Sequence, residues 1–239
     1  MILSILIKLY QQIREESTNY YSIKCFCTVL EVNLRVKSQH LLNLCIEVIM
    51  FDLKYHTPFE WTKPVLADFN TFLQDHAAAE KKASGMAMSM LSHYPDRKKL
   101  VRAMTDLALE ELIHFKQVLK LLTARDVCLG DDKKDKYISD IRKLFRNGRE
   151  VFLMDRLLVA AVIEARGYER FSLVAQALEP GKDKEFYDAI AKSEAKHKDL
   201  FVELAYEYFD KEEVDTRLEE ILVAEAEICE RLPFRAALH

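Results

Sequence analysis

Two segments, residues 107–115 (LALEELIHF) and residues 193–197 (SEAKH), decide how this chain folds. Each contains a glutamate followed three positions later by a histidine: Glu111 with His114, and Glu194 with His197. Positions i and i+3 share one face of an α-helix, so each pair points at one place. One such motif alone is usually a solvated pair, but two copies predict two helices that present matching ligands.

A single glutamate precedes each motif at nearly the same distance. Glu80 lies 31 residues before Glu111, and Glu164 lies 30 residues before Glu194. Glu164 directly follows the apolar run at residues 159–163 (VAAVI). A buried carboxylate without a partner costs on the order of several kcal/mol, so Glu164 needs a cation or a proton. The two halves of the chain therefore repeat the same arrangement of candidate ligands.

Two Glu-x-x-His helices, each joined by a lone glutamate from another helix, form the ligand set of dinuclear carboxylate bundles. Four carboxylates supply four negative charges to two divalent cations, and imidazole suits iron. We expect two iron ions, with manganese as the alternative, bound by six residues: Glu80, Glu111, His114, Glu164, Glu194 and His197.

The remaining sequence is typical of long helices. It has only five Gly and five Pro among 239 residues, and Pro95 and the pair Pro180-Gly181 mark breaks. Apolar spacing predicts long helices from residue 57 or 62 to about 92, and over about 96–124, 151–178 and 183–209. Shorter helices are predicted over about 136–146 and 211–231. The predicted fold class is all-α: a four-helix bundle with additional short helices.

Composition limits the function. The net charge of −4 excludes a generally basic nucleic-acid binder, so any such contact must come from a local patch. Five irregularly spaced cysteines indicate a reducing cytosol rather than a disulfide framework. The sequence contains no apolar stretch of about 18 residues, the length of a membrane span. A cytoplasmic protein without membrane contact is expected.

Residues 1–49 differ from the rest, since they contain no Gly, Pro, Ala or Asp but three of the five cysteines. Either they form an extension that packs on the main domain, or translation naturally starts at Met50. We favour the second interpretation, in which 1–49 is a non-native N-terminal extension and 50–239 is the metal-binding domain.

Four further residues are candidates for contacting the ligands. His76 lies four residues before Glu80, and Glu110 and Ser193 each precede a ligand carboxylate. Glu169 shares a helical segment with Arg166. The alternatives are a core or capping histidine for His76, a solvated Glu110, and a buried Arg166–Glu169 ion pair.

Four segments resemble the MiaE family, the tRNA hydroxylases that act on 2-methylthio-N6-isopentenyladenosine next to the anticodon. They are residues 75–83 (DHAAAEKKA), 107–115 (LALEELIHF), 163–171 (IEARGYERF) and 193–197 (SEAKH). The resemblance covers about residues 55–235, including Trp61. The chain departs from the family pattern at Ala79, Gly167 and Tyr168 and in the tail over 234–239.

The resemblance implies a ferritin-like fold and a non-haem di-iron monooxygenase that hydroxylates the isopentenyl group of this nucleoside in tRNA. O2 is then the co-substrate, tRNA the partner, and an unidentified reductase or other electron donor is required. The alternative is a ferritin- or rubrerythrin-like protein that binds iron or reduces peroxide. A third class, a non-catalytic bundle with structural metal, makes poor use of six polar core ligands. The sequence leaves the oligomeric state open.

A basic cluster surrounds the predicted short helix and is a candidate tRNA-binding surface. Arg142, Arg146 and Arg149 have the helical spacing i, i+4 and i+7, so we expect them to share one face, next to Lys143. The cluster also contains Lys133, Lys134 and Lys136. An ordinary solvated surface is the equal alternative, because Asp131, Asp132, Asp135 and Asp140 are interspersed.

Overall fold

A computed structural model describes residues 51–239 of the chain. The expectation for residues 1–49 lies outside the described residues. The described part is helical, in agreement with the predicted fold class. Its α-helices are α1 (Thr62–Ala67), α2 (Phe69–His93), α3 (Lys98–Ala124), α4 (Lys136–Ile141), α5 (Arg149–Ala177), α6 (Lys182–Tyr208) and α7 (Lys211–Arg231). Short 3-10 turns cover Phe59–Trp61 and Arg142–Leu144.

The four long helices form the bundle as two neighbouring pairs. Helix α2 packs against α3, helix α5 packs against α6, and α3 also lies beside α6. The first pair is antiparallel, since Ser84 bonds to the carbonyl of Ala108 and Gln74 bonds to that of Cys128. Helix α7 covers the outer side of α5 and contacts α4.

Local signals set several helix ends. The carboxylates of Asp68, Asp135 and Asp210 accept backbone N–H bonds at the starts of α2, α4 and α7. Gly181 has a φ of 156° between α5 and α6, a backbone conformation that glycine adopts without penalty. The breaks before α4, α6 and α7 fall close to the predicted ones, whereas the break at Asp68, which divides the predicted first long helix into α1 and α2, was not predicted.

The predicted short helix over about 136–146 begins at Lys136 as expected, but its predicted end is wrong. Helix α4 ends at Ile141, a 3-10 turn follows to Leu144, and the backbone of Phe145 is extended, with a ψ of 122°. The buried carboxylate of Asp155 binds both the backbone N–H and the guanidinium of Arg146, and it also accepts from Arg217. Burial opposes ionisation of Asp155, but these hydrogen bonds outweigh it and lower its pKa. Arg142, Arg146 and Arg149 therefore do not share one helix face.

Two apolar clusters fill the bundle, and the candidate ligands of α2, α3 and α6 lie between them. One cluster contains Trp61, Phe72, Leu122 and Phe171. The other extends from Leu100 on α3 to Cys229 near the end of α7, and it includes Val162 and Ala165 on either side of Glu164. In α2, for example, Ala77 belongs to the first cluster and Ala87 to the second, with Glu80 between them. A polar layer is thus enclosed by apolar packing on both sides. None of the described helices is long and apolar enough to span a bilayer.

Candidate metal centre

The six predicted ligands converge at the middle of the bundle, one from each of α2 and α5 and two from each of α3 and α6. All six side chains are buried, with residue exposures between 1% and 6%. Their donor atoms form two groups of four, and within each group the atoms lie within 4.8 Å of one another. The groups are Glu80, Glu111, His114 and Glu194, and Glu111, Glu164, Glu194 and His197.

Glu111 and Glu194 belong to both groups and so stand between the two candidate positions. Nδ1 of His114 lies 3.3 Å from Glu111, 3.7 Å from Glu80 and 3.9 Å from Glu194. Nδ1 of His197 lies 2.9 Å from Glu111, 3.7 Å from Glu194 and 3.9 Å from Glu164. Two carboxylates that each face both imidazoles are suited to bridge a pair of cations, as in dinuclear helical bundles.

Several donor atoms at this centre are buried without a hydrogen bond. Oε1 of Glu111, Oε1 of Glu194 and both ring nitrogens of His197 form no hydrogen bond of good geometry in the described part of the chain, although carboxylate oxygens lie 2.9 Å and 3.3 Å from the two nitrogens of His197. Buried polar atoms are normally satisfied, and those that are not indicate a strained group or an ion. Carboxylate oxygens and imidazole nitrogens grouped this closely are suitable ligands for divalent metal ions, including iron.

The charges at the centre shift the pKa values of its members strongly. Burial opposes a charge on His114, but Glu111 and Glu80 outweigh it and raise its pKa to about 10. His197 is likewise opposed by burial, and Glu111 and Glu194 raise its pKa to about 11. Burial raises the pKa of both Glu80 and Glu164 well above the ordinary value. Cations entering this site must therefore compete with protons.

His76 contacts the centre directly. Its Nε2 lies 2.6 Å from Oε1 of Glu80, and its Nδ1 lies 3.0 Å from the hydroxyl of Tyr187 on α6. Both His76 and Tyr187 have no exposed surface. Tyr187 was not predicted as a site residue, although its position seven residues before Glu194 places both on one face of α6.

Glu110 and Ser193 meet at the junction of α3 and α6. The Ser193 hydroxyl donates to Glu110 at 2.6 Å, and the other oxygen of Glu110 lies 3.3 Å from Nε2 of His197. The Glu110 side chain is 48% exposed, so this pair links the ligand His197 to the bundle surface.

Glu169 lies apart from these residues and takes part in a separate buried network. Its carboxylate pairs with Arg166 and accepts the backbone N–H of Thr57. Arg166 also forms two bonds, of 2.8 and 2.9 Å, to Glu225 on α7, and both of these side chains are fully buried. The network fastens α7 and the segment before α1 to α5, the helix of Glu164. The Arg166–Glu169 ion pair was one of the two predicted alternatives, whereas Glu225 was not predicted.

Gly167 lies next to the candidate ligand Glu194. A Cβ atom added there would lie 3.8 Å from Cγ and Oε2 of Glu194 and 3.8 Å from Phe171. An alanine would therefore fit, whereas a longer side chain would crowd the Glu194 carboxylate. Glycine is therefore not required here by a close helix contact, but a large side chain at this position would alter the surroundings of Glu194.

The predicted tRNA-binding residues lie at the connection from α4 to α5 and are largely engaged in ion pairs. Lys143 pairs with Asp140 at 2.6 Å, Arg146 with Asp155 at 2.8 Å, and Arg149 with Asp96. Arg142 is exposed and, among the described residues, forms no ion pair.

Comparison with known proteins agrees with this geometry. A tRNA 2-(methylsulfanyl)-N(6)-isopentenyladenosine(37) hydroxylase of Pseudomonas putida is 39% identical over 175 residues, which are 72% of this chain and 83% of the relative. A protein of the same name from Salmonella typhimurium is 31% identical over 154 residues, 64% of this chain and 56% of the relative.

A solved structure of similar fold is Protein 43 with aldehyde deformylating oxygenase activity from Synechococcus. It is 33% identical with a TM-score of 0.76, covering 80% of this chain and 96% of that one. The family model described as tRNA-(MS[2]IO[6]A)-hydroxylase (MiaE) matches residues 44–239. A buried carboxylate and histidine centre in a ferritin-like bundle, together with these matches, shows that the chain is an enzyme that belongs to the MiaE tRNA hydroxylase family.

Proposed function

We propose that this enzyme hydroxylates the isopentenyl group of 2-methylthio-N6-isopentenyladenosine in tRNA, with O2 as co-substrate. The observation that carries the proposal is the pair of overlapping four-residue groups in the bundle core. The names of the two hydroxylase relatives supply the substrate. The family match favours this function over the alternative of ferritin- or rubrerythrin-like iron binding or peroxide reduction.

The metal would be a pair of iron ions, held by Glu80, Glu111, His114, Glu164, Glu194 and His197, with manganese as the alternative. When bound and reduced, such a pair supplies the activation of O2 that insertion of oxygen into a C–H bond requires. The protein's own part is to arrange the ligands and to exclude bulk water, since the ligand layer is closed by apolar clusters at both ends.

The reaction consumes two electrons beyond those of the substrate, so an external electron donor, such as a reductase, is part of the proposal. We also propose that the small residue Gly167, which lies beside Glu194, keeps room for the reacting group. A residue larger than alanine at this position would crowd the Glu194 carboxylate and should lower activity.

For tRNA contact we propose the basic cluster of Arg142, Lys143, Arg146 and Arg149. Lysine and arginine side chains bind nucleic acid mainly through phosphate charge. The four side chains differ in availability, because Arg146 is bound to the buried Asp155 whereas Arg142 is exposed and unpaired among the described residues. Arg142 is therefore expected to contribute most to tRNA affinity.

The function is tested by nucleoside analysis of tRNA from cells that make the isopentenylated precursor but lack its hydroxylase. Expression of the chain should convert the precursor nucleoside to a product that is one oxygen atom heavier. Glu111→Ala, which removes a carboxylate common to both groups, should abolish the product.

Glu203→Gln provides the matched control, because Glu203 is an exposed carboxylate on α6 and should leave conversion unchanged. An unaltered nucleoside profile with soluble wild-type protein, O2 and reductant present would exclude the tRNA assignment. Equal conversion by Glu111→Ala would show that the buried centre is not the site of the reaction.

A further inference from the structure

The two halves of the candidate centre repeat in sequence, but their outer glutamates are supported differently. Glu80 is bonded at 2.6 Å by His76, which lies four residues earlier on α2. The residue four positions before Glu164 is Ala160, which has no polar side chain. Glu164 lies near members of the centre itself, with Nδ1 of His197 at 3.9 Å. Among residues 51–239, Glu80 thus has a partner outside the ligand set that holds it, and Glu164 has none.

His76 is in turn held by Tyr187. A carboxylate that binds a cation accepts hydrogen bonds only, so Nε2 of His76 must be the nitrogen that donates to Glu80. The neutral ring then has an acceptor at Nδ1, which the Tyr187 hydroxyl satisfies at 3.0 Å. The chain Tyr187–His76–Glu80 therefore has one consistent direction of donation, from α6 to α2.

Aromatic packing prevents the imidazole of His76 from turning away. Its ring centroid lies 4.5 Å from that of Phe171, 6.0 Å from that of Phe186 and 6.2 Å from that of Phe72. The ring has no exposed surface. The His76 ring is held by packing on its faces and by the hydrogen bond at its Nδ1. It therefore fixes the orientation of the Glu80 carboxylate before a cation binds.

His197 also has a partner, and its support is weaker. Glu110 lies 3.3 Å from Nε2 of His197, but its side chain is 48% exposed, so solvent screens the interaction and allows it to exchange. The buried Tyr187–His76 pair is the stronger constraint, and it acts on the first group of four residues alone.

We propose that the Tyr187–His76 pair makes the two metal positions unequal. The position of Glu80, Glu111, His114 and Glu194 binds its cation first and more tightly, and Glu164 is the carboxylate that is free to move. This inference rests on the proposed metal-binding function. Its physical reason is preorganisation: a carboxylate already fixed loses less side-chain freedom when it binds, and residues that orient ligands raise metal affinity.

The test is a titration of the metal-free full-length protein with Co²⁺, followed by its visible absorption. Wild type should bind two equivalents in two separable steps with different spectra. His76→Phe should weaken the first step by about 10- to 100-fold, the usual effect of removing a residue that orients a ligand. Tyr187→Phe, which deletes one neutral hydrogen bond, should weaken it by about 2- to 10-fold. The second step should stay within about twofold in both variants.

Tyr206→Phe is the matched control, because it removes a hydroxyl from the same helix where that group contacts Asp215 instead of the centre. It should leave both steps unchanged. The inference is overturned if wild type shows a single step with two equivalent ions, or if Tyr187→Phe weakens both steps equally. Tyr187→Phe decides the matter should His76→Phe fail to fold. Because no tRNA is used, failure here is distinct from failure of the nucleoside assay.

Discussion

Loading the centre with two divalent cations should release at least two protons near neutral pH. The two imidazoles that face the carboxylates are the source. The pKa of His114 is raised to about 10 and that of His197 to about 11, so both rings are protonated at pH 7 without metal. A cation bound at Nδ1 requires the neutral ring, and each proton must leave.

The size of the effect follows from these values. At pH 7 the pKa of His114 lies about three units above the solution pH, so removing its proton costs about 4 kcal/mol. The pKa of His197 lies about four units above the solution pH, and removing its proton costs roughly 5 kcal/mol. When two protons leave for two cations, the overall association constant should rise about 100-fold for each pH unit. Glu80 and Glu164, whose pKa values are raised, add to the release if they are protonated.

Calorimetric titration with Mn²⁺ in buffers of different ionisation enthalpy counts the protons directly. His114→Ala should lower the count by about one, whereas His93→Ala should leave it unchanged, since His93 is an exposed residue at the end of α2. A count clearly below two in wild type, or an affinity that does not change between about pH 6 and pH 8, would show that the two imidazoles are not the source of the protons.

Three further predictions concern the rest of the fold. Glu225→Ala should cost about 3–5 kcal/mol in denaturant unfolding, because Arg166 is left buried without its charge partner; the double variant with Arg166→Met should recover part of this loss. Because the pKa of Asp155 is lowered in the folded protein, its ionised form stabilises the fold at pH values above its unfolded pKa, and this stability is lost as the pH falls through the folded pKa. Asp155→Asn should therefore make the free energy of unfolding depend less on pH in the acid range. Arg142→Glu should weaken tRNA binding and reduce its salt dependence without loss of stability, whereas Arg146→Ala should chiefly lower stability.

The fold was largely predictable because its signals are local. The pair Pro180-Gly181 stops one helix and starts the next, and α5 ends at Ala177 while α6 begins at Lys182. Side chains that face one direction at helical spacing also predicted which six residues meet at the centre. The same logic applied to Arg142, Arg146 and Arg149 gave a wrong helix, because a tertiary bond to Asp155 overrides local propensity there.

Contacts between distant parts of the chain were not predictable in the same way. Tyr187 bonds to a histidine 111 residues away, and Arg166 pairs with Glu225 at a separation of 59. Neither pairing repeats along the sequence, so no periodicity reveals it. Sequence pattern identified Arg166 as a member of a buried ion pair but named only Glu169, its neighbour on the same helix, since helical spacing is the one geometry that a single sequence encodes directly.

The six convergent side chains should bind two metal ions, and anomalous diffraction from iron-loaded crystals would locate those ions. We expect two peaks at the iron edge, roughly 3.5–4 Å apart, on either side of Glu111 and Glu194. A single peak, or peaks only on the protein surface while these carboxylates stay free of metal, would show that the buried residues do not form a dinuclear centre.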